Sequence, residues 1–343
     1  MGKRSKRGSL RFLHPALPVL SIVLGLVLAV MIATTVFFQR MMDRIQYVPK
    51  EEPPALSQQV PDTLPVPEAP SPDPLVPEEL SFTLPDPHPE RNVIRLLLIG
   101  QDRREGEARA RSDSMILCTF RKDTNELILT SILRDLYVPI PGYRDNRLNA
   151  AYAFGGMGLL EKTLEHNFGI RVDGSVEVDF TRFSGIVDLL GGVRLTLRED
   201  EARFLNELHG FGLSAGENLL TGEQALHYTR IRSLDPDGDF SRTNRQRTVI
   251  TAMVQACREA GLITLLSVLE EILPMVTTDL SRRELISLAG ELFPMLSDLT
   301  IVSQRIPADG TYTNKTIRGM AVLVADLDAA RRLLEETLTG TSG

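Results

Sequence analysis

Two stretches of the chain concentrate the residue types that handle phosphate. In the first, Asp102 follows one apolar run, Arg111 and Asp113 precede a second, and Arg134-Asp135 follow a third. Arg111 and Asp113 are two apart, so on an extended chain they share a face. Two carboxylates flanked by arginines suit a divalent cation bridging to phosphate, because Mg²⁺ takes one or two carboxylates and completes its shell with phosphate and water oxygens. Solvated loop charges would give the same spacing. The second stretch, 228–247, carries Arg230, Arg232, Arg242, Arg245 and Arg247. Asp239 or Ser241 is placed to cap a helix on which Arg242, Arg245 and Gln246 share a face at i, i+3 and i+4. A planar guanidinium fork donates two hydrogen bonds to one phosphate, and a helix N-terminus favours an anion. An ion-paired, solvent-facing helix is the plainer alternative.

Other chemistries find little support. There is no HExxH, no P-loop and no GxGxxG after a strand. The five histidines are scattered, which speaks against a zinc site, and His166 and His227 read as ordinary helix residues. Cys118 falls in a strand-like run and Cys257 on a helix, so two separate apolar cysteines are expected rather than a disulfide.

The elements that must position these groups begin near Arg91. Val93–Ile99, Ser114–Phe120 and Glu126–Ile132 are short apolar runs bounded by turn residues, and read as buried strands. If they form an up-down-up meander, the end of the first, the start of the second and the end of the third share one sheet edge. Arg171–Val178 and Val193–Leu197 read as further strands. Helices are predicted over Asn149–Phe168 (weakened at its start by Gly155-Gly156), Phe180–Leu190, Thr221–Tyr228, Arg242–Ala260, Ser281–Leu296 and Asp326–Leu338. Thr221 with Gln224 is a capping box. Strands and helices mixed in this order predict an α/β sheet covered on both faces.

Composition places this domain on a stalk. Of 343 residues, 43% are hydrophobic and 24% charged, which excludes a wholly disordered chain. Basic residues crowd the first 17 positions, and residues 18–38 form an uncharged apolar run. At ~1.5 Å per residue this run reaches ~30 Å, enough to span a bilayer. It ends without a small-x-small cleavage site, so an uncleaved anchor is expected, with the N-terminus cytoplasmic and the rest outside. Residues 39–90, rich in proline and acid, read as an extended linker, and 91–343 as one extracellular domain. The net charge is −7, with no basic face for nucleic acid.

Residues 91–340 resemble the LytR–CpsA–Psr family of envelope phosphotransferases. The resemblance rests on Leu-Ile-Gly-Gln-Asp at 98–102, Arg-Ser-Asp-Ser at 111–114, Ser-Ile-Leu-Arg-Asp at 131–135 and Arg-Leu-Asn-Ala-Ala-Tyr at 147–152. It continues with Leu-Leu-Gly-Gly-Val at 189–193, Leu-Thr-Gly-Glu-Gln-Ala-Leu at 220–226, Tyr-Thr-Arg-Ile-Arg at 228–232 and Asp239-x-x-Arg242-x-x-Arg245-Gln246. It implies a three-layer α-β-α sandwich with a mixed central sheet, behind one N-terminal transmembrane helix. It also implies transfer of a glycopolymer from a polyprenyl-pyrophosphate carrier to a peptidoglycan hydroxyl, commonly the C6 hydroxyl of N-acetylmuramic acid. A phosphodiester forms and polyprenyl phosphate leaves. Carried over residue by residue, Asp102 and Asp113 would hold Mg²⁺ (or Mn²⁺). Arg111, Arg134, Arg147, Arg230, Arg232, Arg242 and Gln246 would grip the pyrophosphate. Asp239, with Arg111 and Arg134, would serve the reaction itself, by orienting the cluster or helping to deprotonate the acceptor. Two positions depart from the family pattern: Arg147 is often Lys, and Leu133 is often Pro, which would leave the backbone before Arg134 less restrained. A polyprenyl-pyrophosphate phosphohydrolase and a non-catalytic lipid-pyrophosphate-binding regulator would use the same residues. Leu159-Leu160 and Phe180–Leu190 could line a prenyl tunnel or be plain core.

Overall fold

A computed structural model describes residues 43–49, 92–101, 112–235, 238–260 and 262–339. The basic tail, the 18–38 span and most of the proline-rich stretch lie outside the described residues, as do Asp102 and Arg111. Among the described residues, no helix is long and apolar enough to cross a membrane. Within the expected linker, Gln46–Tyr47 (β1) joins the edge of the main sheet by pairing with a strand near residue 277.

Three strands form the expected meander: β2 (Val93–Gln101), β3 (Ser112–Arg121) and β4 (Glu126–Ile132), each antiparallel to the next. Successive strand side chains face opposite ways, so the apolar runs fill two cores. Leu97, Ile99, Met115 and Leu117 enter one; Leu96, Leu98, Ile116 and Cys118 enter the other. Two short strands sit between β4 and the first helix, β5 (Tyr137–Val138) and β6 (Asn146–Arg147). Farther along, β7 (Gly174–Asp179) lies parallel to β2, and a ribbon of β8 (Val193–Leu197) and β9 (Gly216–Leu220) stands outside the main sheet. β10 (Thr277–Thr278) and β11 (Thr300–Ile306) complete a seven-stranded mixed sheet of order β1-β10-β7-β2-β3-β4-β11. β2, β4, β7 and β11 run the same way. Their carboxyl ends therefore share one edge, where open α/β sheets place ligands.

Helix α1 (Leu148–Phe168) covers one face, together with the C-terminal helix. Its helical geometry breaks at Gly155 and Gly156, the latter at φ 62°, which accounts for the glycines that weakened its predicted start. Leu159 and Leu160 are fully buried core. α2 (Phe180–Leu189), α3 (Glu199–His209) and α4 (Gly222–Thr229) pack with the β8–β9 ribbon around Val187, Val193, Leu205, Tyr228 and Val249. α5 (Asp239–Glu259) joins that cluster and also covers the second face of the sheet through Ile250 and Val254. α6 (Leu262–Ile272), α7 (Arg282–Leu292), the hairpin β12 (Tyr312–Ile317) and β13 (Met320–Ala325), and α8 (Leu327–Thr339) finish the chain. α3 and α6 were not predicted, and the expected helix at 281–296 stops at Leu292 before a 3₁₀ segment.

The Thr221–Gln224 capping box forms as predicted, and the residue after the cap has a second constraint. A Cβ on Gly222 would lie 1.9 Å from the Ser184 carbonyl oxygen of α2. Gly222→Ala is therefore expected to push α4 off α2 and destabilise the domain by about 1–3 kcal/mol, read as a fall in urea midpoint at unchanged slope. An unchanged midpoint would show that the two helices separate freely.

Candidate functional site

Arg134 stands just beyond β4 at the shared edge. Its position is set by backbone hydrogen bonds on either side: Leu133 N–H donates to the Ile306 carbonyl at 3.1 Å, and Asn149 N–H donates to the Arg134 carbonyl at 3.2 Å. The Leu133 bond corrects the expectation of a looser backbone, because proline lacks the N–H that makes it. Around the guanidinium lie three carboxylates. Nη1 donates to Asp113 at the start of β3, Nε is 3.5 Å from Asp135, and Nη2 is 3.7 Å from Asp239. Burial disfavours the Arg134 charge, but Asp135, Asp113 and Asp239 outweigh it and raise the pKa above its ordinary value. Asp135 also pairs with Arg147 at 3.2 Å, so Arg147 stands beside Arg134 through a shared acid.

The first turn of α5 supplies the facing wall. Asp239 is its first helical residue and Gly238 its N-cap, so neither Asp239 nor Ser241 caps the helix. Asp239 instead lies 3.5 Å from Arg232 and 3.6 Å from Arg242, in addition to Arg134. Arg242 is buried, and its Nη2 donates to the Asp113 carbonyl at 3.4 Å. Burial, helped by the charges of Arg134 and Arg232, holds its guanidinium down to about 10 despite Asp239. The Nε atoms of Arg134 and Arg242 are buried without a hydrogen-bond acceptor. One turn on, Gln246 Oε1 accepts from Ser114 Oγ at 2.9 Å, which leaves its amide N–H groups to donate elsewhere. Arg230, at the end of α4, rests over the Phe180 ring at 4.4 Å, a cation–π platform on α2.

The structure thus brings together Asp113, Arg134, Arg147, Arg232, Asp239, Arg242 and Gln246, with Arg230 placed by Phe180. Asp102 and Arg111 fall outside the described residues. Sequence reasoning named Ser114 only within a motif and Phe180 only as tunnel lining or core; their contacts here depend on Gln246 and Arg230 arriving from distant segments. Arg245 departs from the predicted shared face. It is buried against Glu201 and Asp235, and donates to the Ile231 carbonyl at 3.3 Å. Its place in the sequence motif is therefore structural: it ties down the loop that carries Arg232.

Carboxylate oxygens are the right donors for Mg²⁺, and Asp113 is partly exposed at the site. Among the described residues no group of three or more His, Cys, Asp or Glu is placed to hold an ion. Gly212-Leu213-Ser214-Ala215-Gly216 spells G-x-S-x-G, yet it leads from a loop into β9 rather than from a strand into a helix, so it builds no nucleophile elbow. His227 lies on α4 against His209, ring centroids 3.8 Å apart and tilted by 38°, and both cysteines are free thiols, with burial pushing Cys118 up to about 12.

Comparison with known proteins gives this geometry a context. The LytR_cpsA_psr family model matches residues 77–337. The polyisoprenyl-teichoic acid–peptidoglycan teichoic acid transferase TagU of Bacillus licheniformis is 36% identical over 170 residues, 49% of this chain and 54% of that protein. The regulatory protein MsrR of Staphylococcus aureus is 36% identical over 162 residues, 47% of this chain and 48% of that one. The chain thus spans about half the length of these curated relatives. A solved LytR-CPS2A-psr family protein, YwtF (TagT) with bound octaprenyl pyrophosphate lipid, superposes with a TM-score of 0.57 at 26% identity, covering 75% of this chain and 93% of that one.

Proposed function

The chain belongs to the LytR–CpsA–Psr family, and from that premise we propose that it transfers a glycopolymer from a polyprenyl-pyrophosphate carrier to a peptidoglycan hydroxyl. The N-acetylmuramic acid C6 hydroxyl is the proposed acceptor. The observation that carries the reading is the cluster of Arg134, Arg232 and Arg242 at the carboxyl edge of the sheet, where the buried Nε–H groups of Arg134 and Arg242 lack hydrogen-bond acceptors. A pyrophosphate supplies those acceptors and the missing negative charge. The names of TagU and of the lipid-bound TagT structure support the donor class. The proposed location is the outer face of the cell membrane, with residues 18–38 as a single-pass anchor.

In the proposed step the acceptor oxygen attacks the phosphorus next to the sugar. The bond to the bridging oxygen breaks, and polyprenyl phosphate leaves with that oxygen. Arg134 and Arg242 hold the non-bridging oxygens, where charge builds as the bridge opens. Arg230, Arg232 and Gln246 hold the leaving phosphate in line, and Arg147 extends the positive field through Asp135. Arg111 is proposed to join this grip. Asp239, in ion-pair range of three guanidinium groups, keeps their forks aimed inward, and takes the acceptor proton if the hydroxyl approaches from its side. Asp102 and Asp113 would hold Mg²⁺ (or Mn²⁺), which supplies charge neutralisation at the pyrophosphate oxygens.

Incubation of the full-length chain in detergent with a polyprenyl-pyrophosphate disaccharide, Mg²⁺ and peptidoglycan fragments is expected to release polyprenyl phosphate and add a sugar phosphate to the fragments, by mass spectrometry. EDTA is expected to lower both products together. Release as free sugar phosphate, with the acceptor present, would replace the transferase reading by a hydrolase. No release by folded, lipid-bound protein would replace it by a binding module.

A further inference from the structure

Five arginines are buried among the described residues: Arg121, Arg242, Arg245, Arg247 and Arg331. Four lie within 4 Å of a carboxylate: Arg121 near Glu126, Arg242 near Asp239, Arg245 near Glu201, and Arg331 near Asp328. Arg247 does not. It is 5% exposed, and its Nη groups donate only to neutral oxygens, Ser131 Oγ at 2.6 Å and Asn244 Oδ1 at 3.2 Å. Its Nε has no acceptor. A buried cation normally requires a counter-charge, because desolvation alone costs several kcal/mol.

The charge that acts on Arg247 is another cation. Arg305, on β11, is the register partner of Ser131, so the two project from the same sheet face, and Ser131 is the residue Arg247 grips. The Arg305 guanidinium lies over the Phe240 ring at 4.5 Å, and Phe240 packs against Tyr312 with centroids 5.0 Å apart and the rings tilted by 31°. Its Nε also lacks an acceptor. Its ion-pair partner is Asp309, which is 86% exposed on the rim and displaceable. Phe240 adjoins Asp239, so this pair stands beside the Arg134 cluster, on the β4–β11 side.

We propose that Arg247 and Arg305 form a second oxyanion subsite, taking a phosphate or carboxylate group borne by the donor or acceptor next to the bound pyrophosphate. The identity of that group rests on the transferase reading; the anion site itself does not. Ser131 Oγ and the aromatic wall of Phe240 and Tyr312 orient the oxyanion, and the two free Nε–H groups with the Arg305 fork hold it. Burial, with the charge of Arg305 acting in the same direction, keeps the Arg247 guanidinium down to about 10, and a bound anion relieves both penalties.

The test uses the full-length chain in detergent, saturated with inorganic pyrophosphate to fill the Arg134 cluster. Inorganic phosphate is then titrated by ³¹P NMR, and D-lactate in a separate arm by ligand-observed ¹H NMR. A further saturable phosphate or lactate site is expected, weakened about tenfold by Arg305→Gln, less by Arg305→Lys, and unchanged by Arg134→Gln. Tighter phosphate binding points to a phosphate of the glycopolymer, and tighter lactate binding to a carboxylate of the acceptor. Arg247→Gln is expected to abolish the same site; if it unfolds the protein, the Arg305 variants decide. Absence of a second site, or one that survives Arg305→Gln but falls with Arg134→Gln, overturns the proposal. Failure of pyrophosphate to bind while phosphate still does overturns the cage of the preceding section and leaves this subsite standing.

Discussion

Arg134→Gln is expected to reduce polyprenyl phosphate release by about 10²–10³-fold while leaving the folded state intact. The side chain is partly exposed at the rim, so its loss opens no core cavity. What it removes is the one guanidinium shared by Asp113, Asp135 and Asp239. Without it, three carboxylates face the proposed pyrophosphate position, and repulsion is added to the lost grip. Arg134→Lys keeps the charge but not the planar fork, so an intermediate loss of about tenfold is expected. The measurement is single-turnover release followed by mass spectrometry, with near-ultraviolet circular dichroism as the folding control. A rate for Arg134→Gln within twofold of the parent would remove Arg134 from the reaction.

Arg245→Ala is expected to lower stability by about 3–5 kcal/mol, the largest fold effect of any single site substitution here. Glu201 and Arg245 are both almost fully buried, and Arg245 Nε donates to Glu201 Oε1 at 2.9 Å. The other Glu201 oxygen closes the capping box of α3 by accepting from Arg198 N–H at 3.0 Å. Truncating Arg245 leaves a buried carboxylate half satisfied, leaves Asp235 with Arg198 alone at 3.1 Å, and releases the Ile231 carbonyl. Urea unfolding of Arg245→Ala and of Arg245→Met/Glu201→Gln checks this. The double variant should regain much of the loss, because it removes the buried charge as well as its partner. Equal losses in both would show that the charge pair is not the cause. Since this loop carries Arg232, activity should fall with stability rather than ahead of it.

Local information in the chain reached a long way. Short apolar runs bounded by turn residues made β2, β3 and β4 legible, and an up-down-up order of the three strands was enough to gather Asp113 and Arg134 at one edge. The capping box at Thr221 and the glycine break in α1 were equally legible, because both depend on backbone preferences within a few residues. The family resemblance assigned Asp113 to Mg²⁺ and Arg134 to the pyrophosphate without reference to any distance.

Only the tertiary structure separated the arginines by what they meet. Arg245 and Gln246 are neighbours on α5, but one residue turns a helix by about 100°, so they face different elements. Arg245 meets Glu201 of α3, and Gln246 meets Ser114 of β3. β11 finds β4 across more than 160 residues, and that pairing alone sets Arg305 beside Ser131 and Arg247. Whether an arginine is a structural ion pair or an open anion site depends on the charge opposite it, and sequence spacing carries no record of a group that arrives from elsewhere in the fold.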